Sequence, residues 1–390
     1  MSLNDRRLAA LWVAGAAGGL AQTLLGVAAT LVAAEMAGNA GTAGFPQALQ
    51  VLGAAGFAPV VSRWSSRTGR GIGLAIGATV GAAGGAVSVA AVALHSVPLL
   101  LLGSFLGGGG ATAVALARYA AVEVGGHRGA GRAVSSVLAA VAVGAVVGPN
   151  LLAPTVHLDR LVGLPRFSTG FLLATVVFLV AGAVWAIGAP RGAIGPAPAG
   201  VRWAFGRSAF AVAVLGLANL VMVATMTMVP VQLHHIGGGL GSIGIVVGVH
   251  IAAMFAPAPI SGWVVDRFGI GHGAAVACGT LLAATSLAAL SAGSVWGLLV
   301  AVALLGFGWS AAVVTGSAAL VRWARPEERP RLEAAGEVGM GVAAAVGGAA
   351  SGLVVGVGGY ATLATLGAAC VAVGLVPLCL RLSTLVPADA

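Results

Sequence analysis

The chain of 390 residues contains no lysine, only three cysteines and two tyrosines, and just 7% charged residues. A soluble domain carries roughly 25% charge, so this chain cannot cover a water-facing surface, and soluble enzyme folds are excluded. Scarce charge combined with 59% hydrophobic residues and a mean hydropathy of +1.04 also excludes intrinsic disorder. Cys278, Cys370 and Cys379 all lie inside apolar stretches. They read as small buried hydrophobes, with neither a disulfide framework nor metal-ligand spacing, and no cofactor or metal is expected. The formal charge of +9 comes entirely from arginine on the basic side, but a nucleic-acid face needs basic residues clustered on a soluble surface. Here the arginines fall in short gaps between apolar runs. What is present is an all-α polytopic membrane protein.

A membrane-crossing helix needs about 20 mostly apolar residues. Twelve runs qualify: 8–34, 45–62, 71–94, 97–117, 133–156 and 170–190, then 208–233, 236–265, 273–290, 295–321, 338–359 and 360–380. They are called spans 1 to 12. The first, an apolar run of 27 residues, exceeds the roughly 7–15 of a signal h-region and is expected to stay in the mature chain. With both ends in the cytoplasm, seventeen of the 19 arginines fall on the inner side, and only Arg160 and Arg166 fall outside. That is the asymmetry the positive-inside rule requires, and one miscounted span would scramble it. The expected location is the cell membrane, with both termini cytoplasmic.

The chain also repeats itself. Arg118, Glu123, Gly144 and Gly148 are matched by Arg322, Glu327, Gly348 and Gly352, each 204 residues on, and Arg67 and Gly69 by Arg267 and Gly269 at 200. Residues 1–190 and 208–390 are therefore expected to be parallel six-helix bundles, joined by a cytoplasmic linker, 191–207, rich in Gly, Pro and Ala. Parallel repeats related by an axis along the membrane normal are one plan for secondary transporters.

Gly262-Trp263-Val264-Val265-Asp266-Arg267-Phe268-Gly269 resembles the loop signature between spans 8 and 9 of the major facilitator superfamily. Ser66-Arg67-Thr68-Gly69-Arg70 resembles its counterpart between spans 2 and 3, with Ser66 in the acidic position. Gly144-Ala145-Val146-Val147-Gly148-Pro149 resembles the span-5 motif of efflux antiporters, although Leu152 and Ala153 stand where a glycine pair normally follows. Ser104-Phe105-Leu106 replaces the span-4 arginine motif, just before the run Gly107–Gly110. The resemblance covers almost the whole chain. It implies a twelve-helix transporter of a small molecule, with protons as a candidate coupling ion, working as a monomer by alternating access.

Within that frame, Asp266 and Arg267 are either a solvated pair, contributing about 0–1 kcal/mol, or, as the resemblance implies, a cytoplasmic latch. A carboxylate beside a helix N-terminus gains about 0.3–1 kcal/mol, and repeat symmetry would put the receiving terminus at span 5, near Arg132. Arg118 and Arg322 read as snorkelling anchors or as interdomain ion-pair partners. Glycines spaced by four, at Gly144/Gly148, Gly244/Gly248 and Gly348/Gly352/Gly356, allow close helix packing or smooth faces that rock. Pro149 should bend span 5, and Pro257 and Pro259 should bend span 8.

Candidate substrate contacts lie near the midplane: Gln22, Asn219, His250 and Trp309, with Asn150 further toward the outside. Met222 and Met226 share a face of span 7 with Asn219 through i, i+3, i+7 spacing. Flexible methionines with one amide suit an apolar or amphipathic ligand, whereas a sugar would need many more polar partners. His250 is the one histidine or carboxylate near a midplane, and Glu35 lies at the outer end of span 1. Either is a candidate for proton coupling, since intramembrane ionisable groups are costly unless they function. A neutral histidine bonded to a backbone carbonyl is the alternative. No carboxylate pair or His/Asp cluster occurs in the spans, and no phosphate loop occurs in the chain. These absences speak against a membrane-embedded enzyme and an ATP-driven pump. Export is the leading expectation, with import of a small metabolite the alternative.

Overall fold

The computed structural model describes residues 3–188, 207–323 and 329–377. Side chains are additionally undescribed at 3–5, 66, 118, 119, 121–135, 207, 208, 266, 321–323 and 329–334. Every regular element among the described residues is helical, as hydrocarbon demands, because a helix satisfies all of its own backbone groups. Among the described residues, ten helices are long and apolar enough to cross a membrane, and a bent pair, Ser136–Asn150 with Leu152–Val162, makes an eleventh. The 41-residue run Ala335–Leu375 is broken at Gly359, where φ is 76° and ψ 172°. It therefore holds spans 11 and 12, and the count is twelve.

The breaks have local causes. Span 5 bends by 44° after Asn150, next to Pro149, which cannot donate an i→i−4 bond. Span 8 is divided into Leu240–Phe255 and Ala258–Phe268 at Ala256–Pro257. Span 2 runs over Gly44–Thr68, beyond the apolar run 45–62, because a helix emerging into water keeps its internal bonds. Thr68 Oγ1 still donates to the Trp64 carbonyl there. Helix runs over Val97–Asn150 in one stretch, and the side chains around Arg132, where the latch is expected to dock, lie outside the described residues. This run nevertheless reverses. Gly18 lies against Val114 and Gly19 against the Val141 backbone, positions that about 40 Å of straight helix would separate.

The chain divides into two compact units. One comprises Met1–Asn39, Phe45–Ala197 and Gly239–Gly248, and the other Ala40–Gly44, Pro198–Gly238 and Val249–Ala390. Residues 191–206 of the expected linker lie outside the described residues. Each unit thus takes in a short segment that the sequence assigns to the opposite half. The turn between spans 7 and 8 is short, and a Cβ at Gly237, Gly239 or Gly241 would meet nothing within 4 Å.

Lipid tails offer no hydrophobic drive between helices, so association rests on close contact. In the first unit the run Gly107–Gly110 supplies it in four directions. A Cβ on Gly107 would lie 2.9 Å from Leu25 of span 1, and one on Gly108 would meet the span-2 backbone at Gln50 and Ala54. One on Gly109 would lie 2.6 Å from Val80 of span 3, and one on Gly110 2.5 Å from the Phe178 ring of span 6. Successive residues point about 100° apart around a helix, so four in a row sweep the full circle. Span 4 is the axle of this unit.

The two repeats pack alike. A Cβ on Gly148 would fall 2.6 Å from the Leu20 carbonyl and 3.1 Å from Leu24 N; one on Gly347 would fall 2.8 Å from the Leu220 carbonyl and 3.3 Å from Ala224 N. Span 5 on span 1 and span 11 on span 7 therefore share one register. The contacts pair Gly148 with Gly347, whereas sequence spacing pairs Gly148 with Gly352.

Candidate functional site

Span 7, within Arg207–His235, carries Asn219, Met222 and Met226 on one face. Asn219 is 8% exposed and fully engaged. The Trp309 indole N–H donates to its Oδ1 over 2.8 Å, and its own Nδ2 donates to the Met340 carbonyl over 2.7 Å. An indole can only donate, which fixes the orientation of the amide. Spans 7, 10 and 11 are thereby joined by one side chain. Met222 is buried, while Met226 and Trp309 are partly exposed.

His250 is buried between spans 8 and 10, its Nδ1 2.8 Å from the Val302 carbonyl. A carbonyl only accepts, so Nδ1 carries the proton and Nε2 is left as an acceptor. Nε2 is buried and has no hydrogen-bond partner. The space comes from Gly306, where a Cβ would stand 2.5 Å from the His250 carbonyl oxygen.

In the first unit Gln22 is partly exposed on span 1. A tie between the corresponding spans is made by its neighbour, about one turn from the position that matches Asn219: Thr23 Oγ1 donates to the Ala145 carbonyl of span 5 over 3.1 Å. Asn150 is exposed. Its Nδ2 donates to the Val146 carbonyl over 2.7 Å and would lie 3.0 Å from a Cβ on Gly248. Glu35 forms an ion pair with Arg166, whose guanidinium also lies 4.8 Å from the Phe167 ring centroid. Sequence reasoning missed Asp159, which is 1% exposed and accepts the Thr169 N–H over 2.7 Å. It caps the helix Ser168–Gly188 from ten residues away, outside the local spacing by which caps are recognised. No group of three or more metal-ligating side chains occurs among the described residues.

The sequence matches the profile of the Major Facilitator Superfamily over residues 11–271 and 209–389. The chain belongs to the Major Facilitator Superfamily. The Bacillus subtilis (strain 168) MFS-type transporter YddS is 32% identical to it over 362 residues, covering 87% of this chain and 82% of its own. The riboflavin transporter RfnT of Brucella anthropi is 27% identical over 313 residues, 76% of this chain and 75% of its own. Among solved structures, the POT family transporter PepTSo superposes with a TM-score of 0.72 at 13% identity, covering 97% and 98% of the two chains. An inward-facing, occupied bacterial homologue of the lysosomal transporter Spinster gives 0.70 at 13%, covering 97% and 96%. At such identities these two likenesses concern the fold.

The superfamily's loop signature has a visible backbone reason in each repeat. Gly69 (φ 102°, ψ 156°) precedes the helix of span 3, and Gly269 (φ 86°, ψ 171°) precedes that of span 9. That region is essentially restricted to glycine, and other residues there are strained by about 1–3 kcal/mol. Gly269→Ala should therefore lower the melting temperature of the purified protein, whereas Gly262→Ala should not. A Cβ on Gly262 would meet nothing within 4 Å. Equal melting temperatures for the two variants would remove the backbone explanation.

Arg67 and Arg267 are exposed, and Arg70 is partly exposed. The side chains of Ser66, Asp266, Arg118 and Arg322, together with those of Glu123 and Glu327, lie outside the described residues. Gly144 and Gly148 both turn toward the span-1 backbone, at Ala16 and Leu20, and Pro149 is buried beside them.

Proposed function

We propose that this transporter exports an apolar or amphipathic small molecule by alternating access. One observation carries the reading: many of the described polar side chains in the spans are spent on the protein's own groups, with the hydroxyls of Thr225, Thr315 and Tyr360 and His250 Nε2 among the buried atoms left without a partner. Thr23, Thr30, Thr112 and Thr285 donate to backbone carbonyls, Asn219 is engaged at both ends, and His250 is bonded to Val302. A hydroxyl-rich ligand would find few partners, and a buried unpaired hydroxyl costs about 1–3 kcal/mol. Proteoliposomes holding the protein should move Nile red but not labelled glucose. Glucose flux without dye flux would overturn the reading.

The protein sits in the cell membrane as a monomer with both termini cytoplasmic, a topology supported by the arginine asymmetry. A single cysteine at Thr42 in a cysteine-free background should react with an impermeant thiol reagent outside intact cells, and one at Gly200 should not. Labelling at Gly200 would invert the topology.

Coupling to protons would run through His250 or Glu35. His250→Gln is expected to remove the dependence of dye transport on a pH gradient and to spare exchange at equilibrium, because glutamine keeps a hydrogen-bonding side chain but cannot titrate near neutrality. Full gradient-driven accumulation in that variant would move the coupling site to Glu35, to be tested with Glu35→Gln.

Import of a small metabolite is the second reading, favoured by the likeness to a riboflavin transporter. Uptake of labelled riboflavin into right-side-out vesicles, without dye efflux, would establish it in place of export.

A further inference from the structure

We propose that the Trp309 indole is a stacking platform for a flat, uncharged aromatic ligand, with Asn219 as its positioning residue. This rests on the reading of the chain as a transporter of apolar molecules and gives that ligand a shape.

The indole is held as a platform would be. Its single donor is consumed by Asn219 Oδ1, and Asn219 is itself anchored on the Met340 carbonyl. The ring plane is therefore set by a chain of two bonds reaching a backbone atom, and the ring offers a ligand only its faces. A side chain whose geometry is fixed before binding loses little entropy on binding.

The direction of the ring is also fixed. Trp309 lies nine positions from Val300, which at about 100° per residue is the opposite side of span 10. Val300 is 49% exposed, so the two residues face opposite ways. The glycines around Trp309 name the neighbours: a Cβ on Gly316 would meet Leu215 of span 7, one on Gly306 Ala253 of span 8, and one on Gly308 Leu281 of span 9. On the helical wheel Trp309 falls between the directions of Gly316 and Gly306. The partly exposed indole therefore lies on the side of span 10 that faces spans 7 and 8.

The surroundings decide the ligand's chemistry. Met222 and Met226 share the face of span 7 that bears Asn219, and thioethers pack well against aromatic rings. Span 10 carries no charged residue over 295–321 and span 7 none over 208–233. On span 11 the nearest carboxylate, Glu337, precedes Met340 by three residues toward the cytoplasm. A flat ring system without charge is what a fixed indole face beside thioethers selects.

The test uses the full-length protein in lipid nanodiscs and two neutral probes, planar acridine and globular 1-adamantanol, titrated by calorimetry. Wild type should prefer acridine. Aromatic pairing beyond simple burial corresponds to about two- to twelvefold in affinity. Trp309→Leu should lose that factor for acridine and leave 1-adamantanol unchanged. Trp309→Phe, which keeps a flat face, should retain most of the preference. Asn219→Leu should weaken acridine binding in the presence of Trp309 and have no further effect in Trp309→Leu. If Trp309→Leu loses both probes together, Trp309→Phe decides: restored planar preference supports the platform, and its absence overturns it. The proposal is also overturned if wild type does not prefer acridine, or if Trp309→Leu still does. In either case dye flux would still report independently on transport.

Discussion

Gly108→Val should leave almost no folded protein in the membrane. A Cβ at this position meets the span-2 backbone, including the Gly53 carbonyl carbon at 2.6 Å, and backbone cannot rotate away as a side chain can. Gly53 meets the Phe105 backbone in return, and Thr112 Oγ1 donates to the Ala54 carbonyl over 2.7 Å at the same crossing. Spans 2 and 4 thus touch main chain to main chain. Overpacking a close-fitted site typically costs about 1–3 kcal/mol, and here two further methyl groups follow the Cβ into a space bounded by peptide atoms. With peptide atoms that cannot move aside unless spans 2 and 4 part, the cost exceeds that range and approaches the total stability of about 5–15 kcal/mol. Gly107→Ala should be milder, since the atom it meets is the end of Leu25 at 2.9 Å. Gly56→Ala, whose Cβ would lie 3.8 Å from the Phe105 ring, should be close to neutral. Fluorescence-detected size-exclusion chromatography of the three variants checks the ranking, and a monodisperse Gly108→Val peak at wild-type height would refute it.

Asp266→Asn is expected to slow Nile red transport at least tenfold while ligand binding and expression stay near wild type. The residue lies in the last turn of the helix Ala258–Phe268. There the negative end of the helix dipole disfavours a carboxylate by about 0.3–1 kcal/mol. The resemblance of this loop to the superfamily's signature implies that the acid biases the balance between access states. A group that stabilises one state shifts the population by the difference in its interactions with the two. Asparagine removes the charge and keeps the shape, so the balance changes and the binding surface does not. Ser66→Asp, supplying the acid that the first repeat lacks, should act in the opposite sense. Transport at wild-type rates in Asp266→Asn would reduce the residue to an exposed charge.

What the sequence conveyed follows from which constraints are local. Hydrocarbon thickness acts on every contiguous run, so spans 1 to 12 are visible in one pass, and the division of spans 11 and 12 at Gly359 falls where the apolar pattern restarts at Tyr360. Proline chemistry is equally local, and the breaks beside Pro149 and Pro257 lie where it demands them. Long-range pairing left no such trace. Trp309 and Asn219 were separately visible as midplane polar residues, but the bond between them spans 90 positions. The partner of His250 is a carbonyl, a group every residue has. Glu35 and Arg166 are 131 apart. The run Gly107–Gly110 names none of its neighbours in the sequence, because glycine has no side chain to reveal which neighbour it admits. The repeat register was also out of reach, since spacing alone cannot tell which turn of span 11 meets span 7.

The turn after span 7 has a practical consequence. Around Gly237, Gly239 and Gly241 there is open space, and doubling the length of a flexible loop costs only about 0.6 kcal/mol. An epitope or a small fluorescent reporter grafted after Gly239 should leave the helices on either side undisturbed. This gives a protein that is nearly all helix a handle for antibody fragments and for imaging.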